Sequence, residues 1–207
     1  MTLKMADTLT AVLVGAALLV LSSCAQEPTE QLVTATKAVD AARAAGAPEY
    51  AKDDFTKLEQ QFATAKEEMA KQDKALPFVR SYTEANKLLM QVVTTGQHVE
   101  TLAAQQKDAA KTAAMAQEQD AQQVLAAAQE LVAKAPTGKE RAGLEALKVD
   151  LKGLQGSLGT VHQLIEKGDY LGADVQAKAL KEKGAAISEE LQKAIEKAKG
   201  PHRKASA

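Results

Sequence analysis

Cys24 carries the strongest chemical signal in this sequence, because it is the only cysteine among the 207 residues. Its thiol is the one strong nucleophile available, and a thiolate can form a thioether with an electrophile or a disulfide with a second thiol. A disulfide within the chain needs two cysteines and is excluded. The position of Cys24 in the chain explains this residue better.

The segment before Cys24 has the pattern of a signal peptide. An apolar run from Leu9 to Leu21 is too short to span a bilayer, which takes roughly 20 residues, and fits a signal h-region. It ends in Leu21-Ser22-Ser23-Cys24, which resembles a lipobox. The resemblance implies cleavage between Ser23 and Cys24 and a diacylglyceryl thioether on Cys24, whose acyl chains, such as palmitate, would anchor the protein in a membrane.

These features predict a signal peptide over residues 1–23 and a lipidated tether over residues 24–27. In lipoproteins of two-membrane bacteria, Asp after the cysteine tends to mean retention in the inner membrane. Ala25 stands there instead and resembles the default, which is export to the outer membrane facing the periplasm. The alternative is an ordinary signal peptide or a short uncleaved anchor, in which Cys24 is incidental.

The remaining titratable residues do not form a pattern typical of chemistry. Two pairs of adjacent carboxylates, Glu67-Glu68 and Glu189-Glu190, lie on predicted helix faces beside lysines, which favours solvated charge over general acid–base work. The histidines are too scattered for a metal-ligand spacing; they are His98, His162 and His202. We predict no catalytic residue, no cofactor and no metal site, and we do not expect an enzyme.

The composition favours an all-helical body. Hydrophobic residues make up 45% of the chain but aromatic residues only 3%, so interfaces between helices would be thin layers of Ala, Leu and Val. Lys and Arg number 26 against 27 Asp and Glu, with alternating signs and a net charge of -1. This balance is typical of a solvated helical surface and argues against nucleic-acid binding.

Apolar spacing and turn residues predict the first two helices. The first helix begins at Pro28 and ends at Gly46-Ala47-Pro48. The second helix ends near Gln72-Asp73, and its apolar seam has the 3-4 spacing of a coiled coil. The seam residues are Phe55, Leu58, Phe62, Ala65 and Met69.

The third predicted helix begins near Pro77 and runs to the stop at Pro136-Thr137-Gly138. Gly96 costs about 1 kcal/mol inside a helix and either kinks it or is tolerated. Residues 103–128 are rich in Ala and Gln with few large apolar residues. We expect an exposed connector there; the alternative is a close-packing Ala seam.

Two further helices complete the body. The fourth closes at Gly168-Asp169, where Asp169 is an expected N-cap for the fifth, which ends at Gly200-Pro201. The fourth helix has a seam at 3-4 spacing: Leu144, Leu147, Leu151, Leu154, Leu158, Val161 and Ile165. Three glycines recur on it at every third position and predict either close helix approach or a weakened helix; they are Gly153, Gly156 and Gly159.

The second and fourth predicted helices match each other at an offset of 96 residues. Charged identities and the following turn agree, including Asp54 with Asp150 and Asp73 with Asp169. The match predicts a tandem duplication, with unit 1 over residues 28–100, unit 2 with its connector helix over 101–200 and a disordered tail over 201–207. We expect elongated three-helix units joined by one continuous helix, an arrangement that resembles spectrin repeats. The alternative is a single elongated antiparallel helical bundle or coiled coil.

Two turn motifs carry a family resemblance. Residues 45–51 read Ala-Gly-Ala-Pro-Glu-Tyr-Ala, and residues 168–173 read Gly-Asp-Tyr-Leu-Gly-Ala. These motifs are similar to the "AGA-x-x-Y-A" and "G-D-Y-x-x-A" turns of a family of Ala-rich bacterial lipoproteins with a helical domain of unknown function. The first copy of the second turn departs from this pattern, since it reads Gln72-Asp73-Lys74.

Taken together, these features predict a structural or protein-interaction role, as scaffold or adaptor, in the cell envelope. The membrane would be contacted through the lipid on Cys24, and the helical seams would contact an envelope protein or a second copy of the chain. The alternative is a lipid- or amphiphile-binding envelope protein.

Overall fold

A computed structural model describes residues 26–135 and 141–199, and within these ranges every regular element is an α-helix. This confirms the all-α prediction. The helices are α1 (Thr29–Ala44), α2 (Ala47–Tyr50), α3 (Lys52–Asp73), α4 (Thr83–Lys134), α5 (Arg141–Lys167) and α6 (Tyr170–Lys199). The long α4 passes through Gly96 without interruption over 52 residues, so the continuous form of the third predicted helix is confirmed.

The described residues fall into two compact units that divide between Gln105 and Gln106. Unit 1 contains α1 to α3 and the first part of α4, and unit 2 contains the rest of α4 with α5 and α6. The predicted division at residue 100 and the spectrin-like succession of units stay predictions. The predicted tail at 201–207 and the stops at Pro136 and Gly200 lie outside the described residues.

In unit 1, α1 and α4 run in the same direction, and α3 runs against both. Arg43, near the end of α1, pairs with Glu59 in the first half of α3 at 2.9 Å. Along α4 the order follows that of α1, because Gln31 lines a groove with Met90 while Ala38 lies against Gly96. The start of α1, the end of α3 and the start of α4 therefore lie at one end of unit 1.

Gly96 permits a close approach of α4 to α1. A Cβ atom placed on Gly96 would lie 2.9 Å from the Cβ of Ala38 and 3.1 Å from its carbonyl carbon. Real Cβ atoms essentially never lie within 3.0 Å of such a neighbour, so one helix would have to shift. The glycine that weakens α4 locally is thus what allows these two helices to pack.

The unit 1 core combines small residues with a few large ones. Four large side chains are essentially free of solvent exposure: Leu58 on α3, and Leu89, Val92 and Val99 on α4. The α3 seam faces inward as its spacing predicts, with Phe62 only partly buried. Its other members are buried: Phe55, Leu58, Ala65 and Met69.

In unit 2, α6 runs parallel to α4 and α5 runs against it. Glu118 on α4 contacts His162 on α5 at 3.1 Å, whereas Leu125 and Ala128, further along α4, cluster with Leu151, which lies earlier on α5. On the other side of α4, Lys181 of α6 pairs with Asp120 at 3.1 Å.

The expectation of an exposed connector over residues 103–128 was wrong for one face of α4. Ala114, Ala121 and Ala128 are fully buried at seven-residue spacing, and they pack against α5 and α6 in unit 2. Small side chains at a heptad position allow helices to approach closely while burying little area. The Ala-rich stretch is therefore a packing seam, the alternative that the composition left open.

The beginning of α4 also differs from the prediction. Pro77 does not start a helix; residues 77–79 form a turn, and α4 begins at Thr83. The second and fourth predicted helices end as expected, at Asp73 and Lys167. Asp169 is the N-cap of α6, since its Oδ1 accepts a hydrogen bond of 2.9 Å from the Gly172 N–H.

Candidate functional site

The loop over residues 74–82, between α3 and α4, exposes several large apolar side chains close together in the sequence. Phe78 is 82% exposed at its tip, with Leu76 60% and Val79 61% exposed. Pro77 lies among them and is also exposed. Folded chains rarely leave adjacent large apolar side chains in water without an interaction to account for it. We call residues 76–79 the apolar tip.

Hydrogen bonds hold the loop in place without help from the side chains of the apolar tip. The Leu76 carbonyl accepts from the Val79 and Arg80 N–H groups at 3.0 and 3.1 Å, which closes a tight turn. The Arg80 guanidinium donates to the carbonyls of Asp73 and Ala75 at 2.9 and 3.1 Å. The loop is therefore built by polar contacts, and its apolar side chains remain available.

Tyr82 fastens the end of the loop to the end of α3. Its hydroxyl donates a hydrogen bond to Asp73 Oδ1 at 2.5 Å, and the residue is 6% exposed. This bond raises the pKa of Tyr82 above 10.0, because ionisation would remove the donated proton and place a phenolate beside a carboxylate. Nearby, the Gln72 amide and then Lys71 lower the pKa of Glu68 by hydrogen bonding to its carboxylate.

The beginning of the described chain lies at the same end of unit 1 as this loop. Pro28 is buried, which fixes the entry to α1. The Glu27 carboxylate is near enough to contribute to the raised pKa of Tyr82. Together with the parallel course of α1 and α4, this places Gln26 and the loop at one end of the unit.

The predicted lipidation and cleavage residues lie outside the described residues. These are Leu21, Ser22, Ser23 and Cys24, with Ala25 beside them. Lipidation and cleavage at these residues therefore stay predictions. No helix within the described ranges is both long and apolar enough to cross a membrane.

The other titratable residues singled out by sequence are dispersed over helix surfaces. His98 is exposed on α4, whereas His162 contacts Glu118 and, at 3.5 Å, Glu166. His202 lies outside the described residues. Between residues 26 and 135 and between 141 and 199, no three His, Cys, Asp or Glu side chains come together as metal ligands would. The carboxylate pair on α3 is split, since Glu67 is exposed while Glu68 bonds Gln72 at 2.7 Å.

Unit 2 has an open groove between α5 and α6. It is lined in part by Val149, Leu154 and Ile187, with Lys183 and Asp150 at its sides. Val149 is 69% exposed. No atom lies within 4 Å of a Cβ placed on Gly153 or on its neighbours at 156 and 159, so these glycines do not serve a close helix approach within the described structure.

Sequence reasoning missed the apolar tip. The third predicted helix begins near Pro77 and so takes in Phe78 and Val79, because Pro is common in a first helical turn. The same residues also carry a signal for a turn, because Pro favours turns and the residue before it avoids helical backbone.

Comparisons with protein-family models, with curated proteins and with solved structures found no match. The resemblance to Ala-rich bacterial lipoproteins rests on the quoted motifs and stays a prediction.

Proposed function

We propose that this protein is a lipoprotein of the cell envelope, anchored through acyl chains on Cys24 and acting as a structural or interaction scaffold. The anchor would sit in the outer membrane, with the helical body facing the periplasm. The lipobox-like segment and its single cysteine support the anchor. The burial pattern supports the scaffold role.

The observation that carries the scaffold role is the contrast between core and surface. Alanine occupies many of the core positions of both units, while several large apolar side chains remain exposed on helix faces. On unit 2 these include Met115, Val149 and Val175, which are all more than half exposed. Exposed apolar positions on rigid helices offer contact area to another protein at little ordering cost.

The anchor is tested by mass spectrometry of the N-terminal peptide from protein expressed in a two-membrane bacterium. The proposal expects a peptide that begins at Cys24 and carries acyl chains, and membrane fractionation of the whole protein. A Cys24→Ala variant should lose both the modification and the membrane association. A chain that keeps residues 1–23, or an unmodified Cys24 peptide, would refute the proposed anchor.

The scaffold role is tested by photo-crosslinking in cells from position 149, in the groove between α5 and α6. A matched probe at Thr160, exposed on the same helix, controls for random encounters. The proposal expects a discrete adduct from position 149 alone, with an envelope protein or a second copy identified in it, and loss of that adduct on Ile187→Ser. Equal labelling from both positions would count against a specific partner.

The groove between α1 and α4 supports a second candidate, amphiphile binding. It is lined by Met90 and Val93 with polar residues of α1 around them, and Met90 is 64% exposed. Binding of a fluorescent fatty acid, abolished by Met90→Glu but not by Met115→Glu, would support this candidate. Equal loss in both variants would reject the groove as the binding site.

A further inference from the structure

The apolar tip lies at the same end of unit 1 as the start of the described chain. Cys24 precedes Gln26 by two residues, so its Cα lies within about 7 Å of that residue by backbone reach. Gln26 itself lies at the end of unit 1 that carries the loop over residues 74–82. Chain connectivity therefore brings any lipid on Cys24 and the apolar tip to the same end of the unit.

From this placement we propose that the apolar tip enters the interface of the bilayer that holds the Cys24 lipid, as a second membrane contact. The inference rests on the proposed lipid anchor. One contact by lipid alone leaves a protein free to rotate about its tether. A second contact through residues 76–79 would fix how unit 1 meets the membrane surface.

The chemistry of the loop suits a lipid interface. Phe78 and its apolar neighbours would enter the acyl boundary, where aromatic and branched side chains leave water favourably. Lys74 is an exposed cation in the loop, whereas the Arg80 guanidinium is held by the carbonyls at the end of α3. The carboxylates of Asp73 and Glu27 lie beside Tyr82, so Lys74 is the loop cation that remains for headgroups. Cations beside an apolar insertion are attracted to anionic headgroups.

The conformation of the loop suits insertion as well. The turn closed on Leu76, and the bonds from Arg80 to the end of α3, fix the loop before any membrane is met. The Ser81 N–H adds a bond of 3.1 Å to the Gln72 side chain. A preformed contact loses little conformational freedom on binding. Each of these bonds leaves the side chains of residues 76–79 directed away from the core, as their exposure shows.

A matched pair of probe positions tests the inference. Val79 and Val175 are related by the 96-residue offset and are 61% and 67% exposed, but Val175 lies on α6 in unit 2. In the mature lipoprotein, the thioether blocks Cys24, so Val79→Cys or Val175→Cys would supply the only free thiol. Each variant is labelled with a polarity-sensitive dye and reconstituted in vesicles, either of phosphatidylcholine alone or with phosphatidylglycerol.

The proposal expects the probe at position 79 to shift its emission to shorter wavelength in vesicles and to be quenched by brominated lipid, more strongly with phosphatidylglycerol. The probe at position 175 should show neither effect. A second substitution, Phe78→Asp, should remove most of the shift at position 79 while circular dichroism shows an unchanged helix content.

Two kinds of failure are distinguishable. If mass spectrometry shows acylated Cys24 and the protein stays on the vesicles while the probe at position 79 remains aqueous, the membrane contact is overturned and the anchor stands. The tip would then be open for a protein partner. If Cys24 is unmodified and the protein does not stay on the vesicles, the anchor is refuted and this inference falls with it. Quenching at both positions would also overturn a specific role for the tip.

Discussion

Two aspartates at matched positions begin two different connections between helices. After α5, a two-residue turn at Gly168 and Asp169 leads directly into α6. After α3, which ends at Asp73, a nine-residue loop leads to α4. Asp169 caps the next helix through the Gly172 N–H, whereas Asp73 accepts the Tyr82 hydroxyl. The same residue type thus serves two geometries.

The residue before each aspartate explains the difference. Gly168 has φ of +83°, and its N–H and that of Asp169 bond back to the carbonyls of Ile165 and Leu164, which ends α5 within one residue. The matched position in unit 1 is Gln72. A residue with a side chain rarely adopts such a φ, so the chain continues as helix and needs a longer loop to reverse. That longer loop is the one that exposes the apolar tip.

The largest expected effect separates two matched leucines of the α3 and α5 seams. Leu58 is fully buried, while Leu154 is partly exposed. Leu58→Ala should lower the free energy of unfolding by about 2–5 kcal/mol, since it leaves a cavity. Leu154→Ala should cost clearly less, because water already reaches the site. Denaturant titrations of both variants make the measurement, and equal losses would show that the two seams pack alike.

Gly96 and Gly156 should respond in opposite directions to alanine. Gly96→Ala gains helix propensity but drives a methyl group into Ala38, and overpacking costs about 1–3 kcal/mol. Gly156→Ala meets open space and should stabilise the chain by up to about 1 kcal/mol. Thermal and chemical denaturation would show whether each substitution raises or lowers the stability. Stabilisation by both substitutions would mean that α1 and α4 approach less closely than described.

Gly168→Ala should destabilise unit 2 by roughly 1–2 kcal/mol, because an alanine at φ of +83° is strained. Gly153→Ala, within the preceding helix α5 with ordinary backbone and open space, is the matched control and should not destabilise. Denaturant midpoints of the two variants decide the matter. A neutral Gly168→Ala would argue that the tight turn does not depend on glycine.

The smallest expected effect concerns Tyr82. Its folded-state pKa lies above its ordinary value of 10.0, so the stability from its bond to Asp73 is complete below about pH 10 and falls as pH rises through the folded-state pKa. Tyr82→Phe should lower the free energy of unfolding slightly at neutral pH, and the difference from the wild type should shrink in alkali.

The measurement is the denaturant midpoint of both proteins over that pH range. Asp73→Asn is the control, because it removes the carboxylate that causes the shift. In this background the alkaline loss at Tyr82 should be weaker. If the stability difference between the wild type and Tyr82→Phe were the same at every pH, the hydrogen bond to Asp73 would be rejected as the cause of the pH dependence.

Much of the fold was predictable from local signals. The ends of α3 and α5, and the capping role of Asp169, follow from turn residues that act within a few positions of themselves. The inward face of α3 follows from its 3-4 spacing. Such features need no knowledge of distant residues.

The features that sequence reasoning missed depend on contacts between distant residues. From the sequence alone, Gly96 only lowers the stability of its helix. Its packing role becomes apparent when the structure shows Ala38, nearly sixty residues earlier, in contact with it. The seven-residue spacing of Ala114, Ala121 and Ala128 was present in the sequence, but small side chains give a weak periodic signal. For the apolar tip, Pro77 was interpreted as a first helical position, and only the structure shows that the side chains of residues 76–79 face solvent.

The uninterrupted course of α4 has a consequence for cooperativity. The division between the units at Gln105 and Gln106 falls inside this helix, where each backbone N–H bonds to a carbonyl four residues earlier. If one unit unfolds while the other stays folded, the part of α4 that remains helical must acquire a new terminus near this boundary. The two units then resemble neighbouring repeats in a nearest-neighbour model of folding. The free energy that couples the folding of one unit to that of the other resides in the helical turns of α4 around residues 102–109. Amide hydrogen exchange in those turns would report that coupling directly.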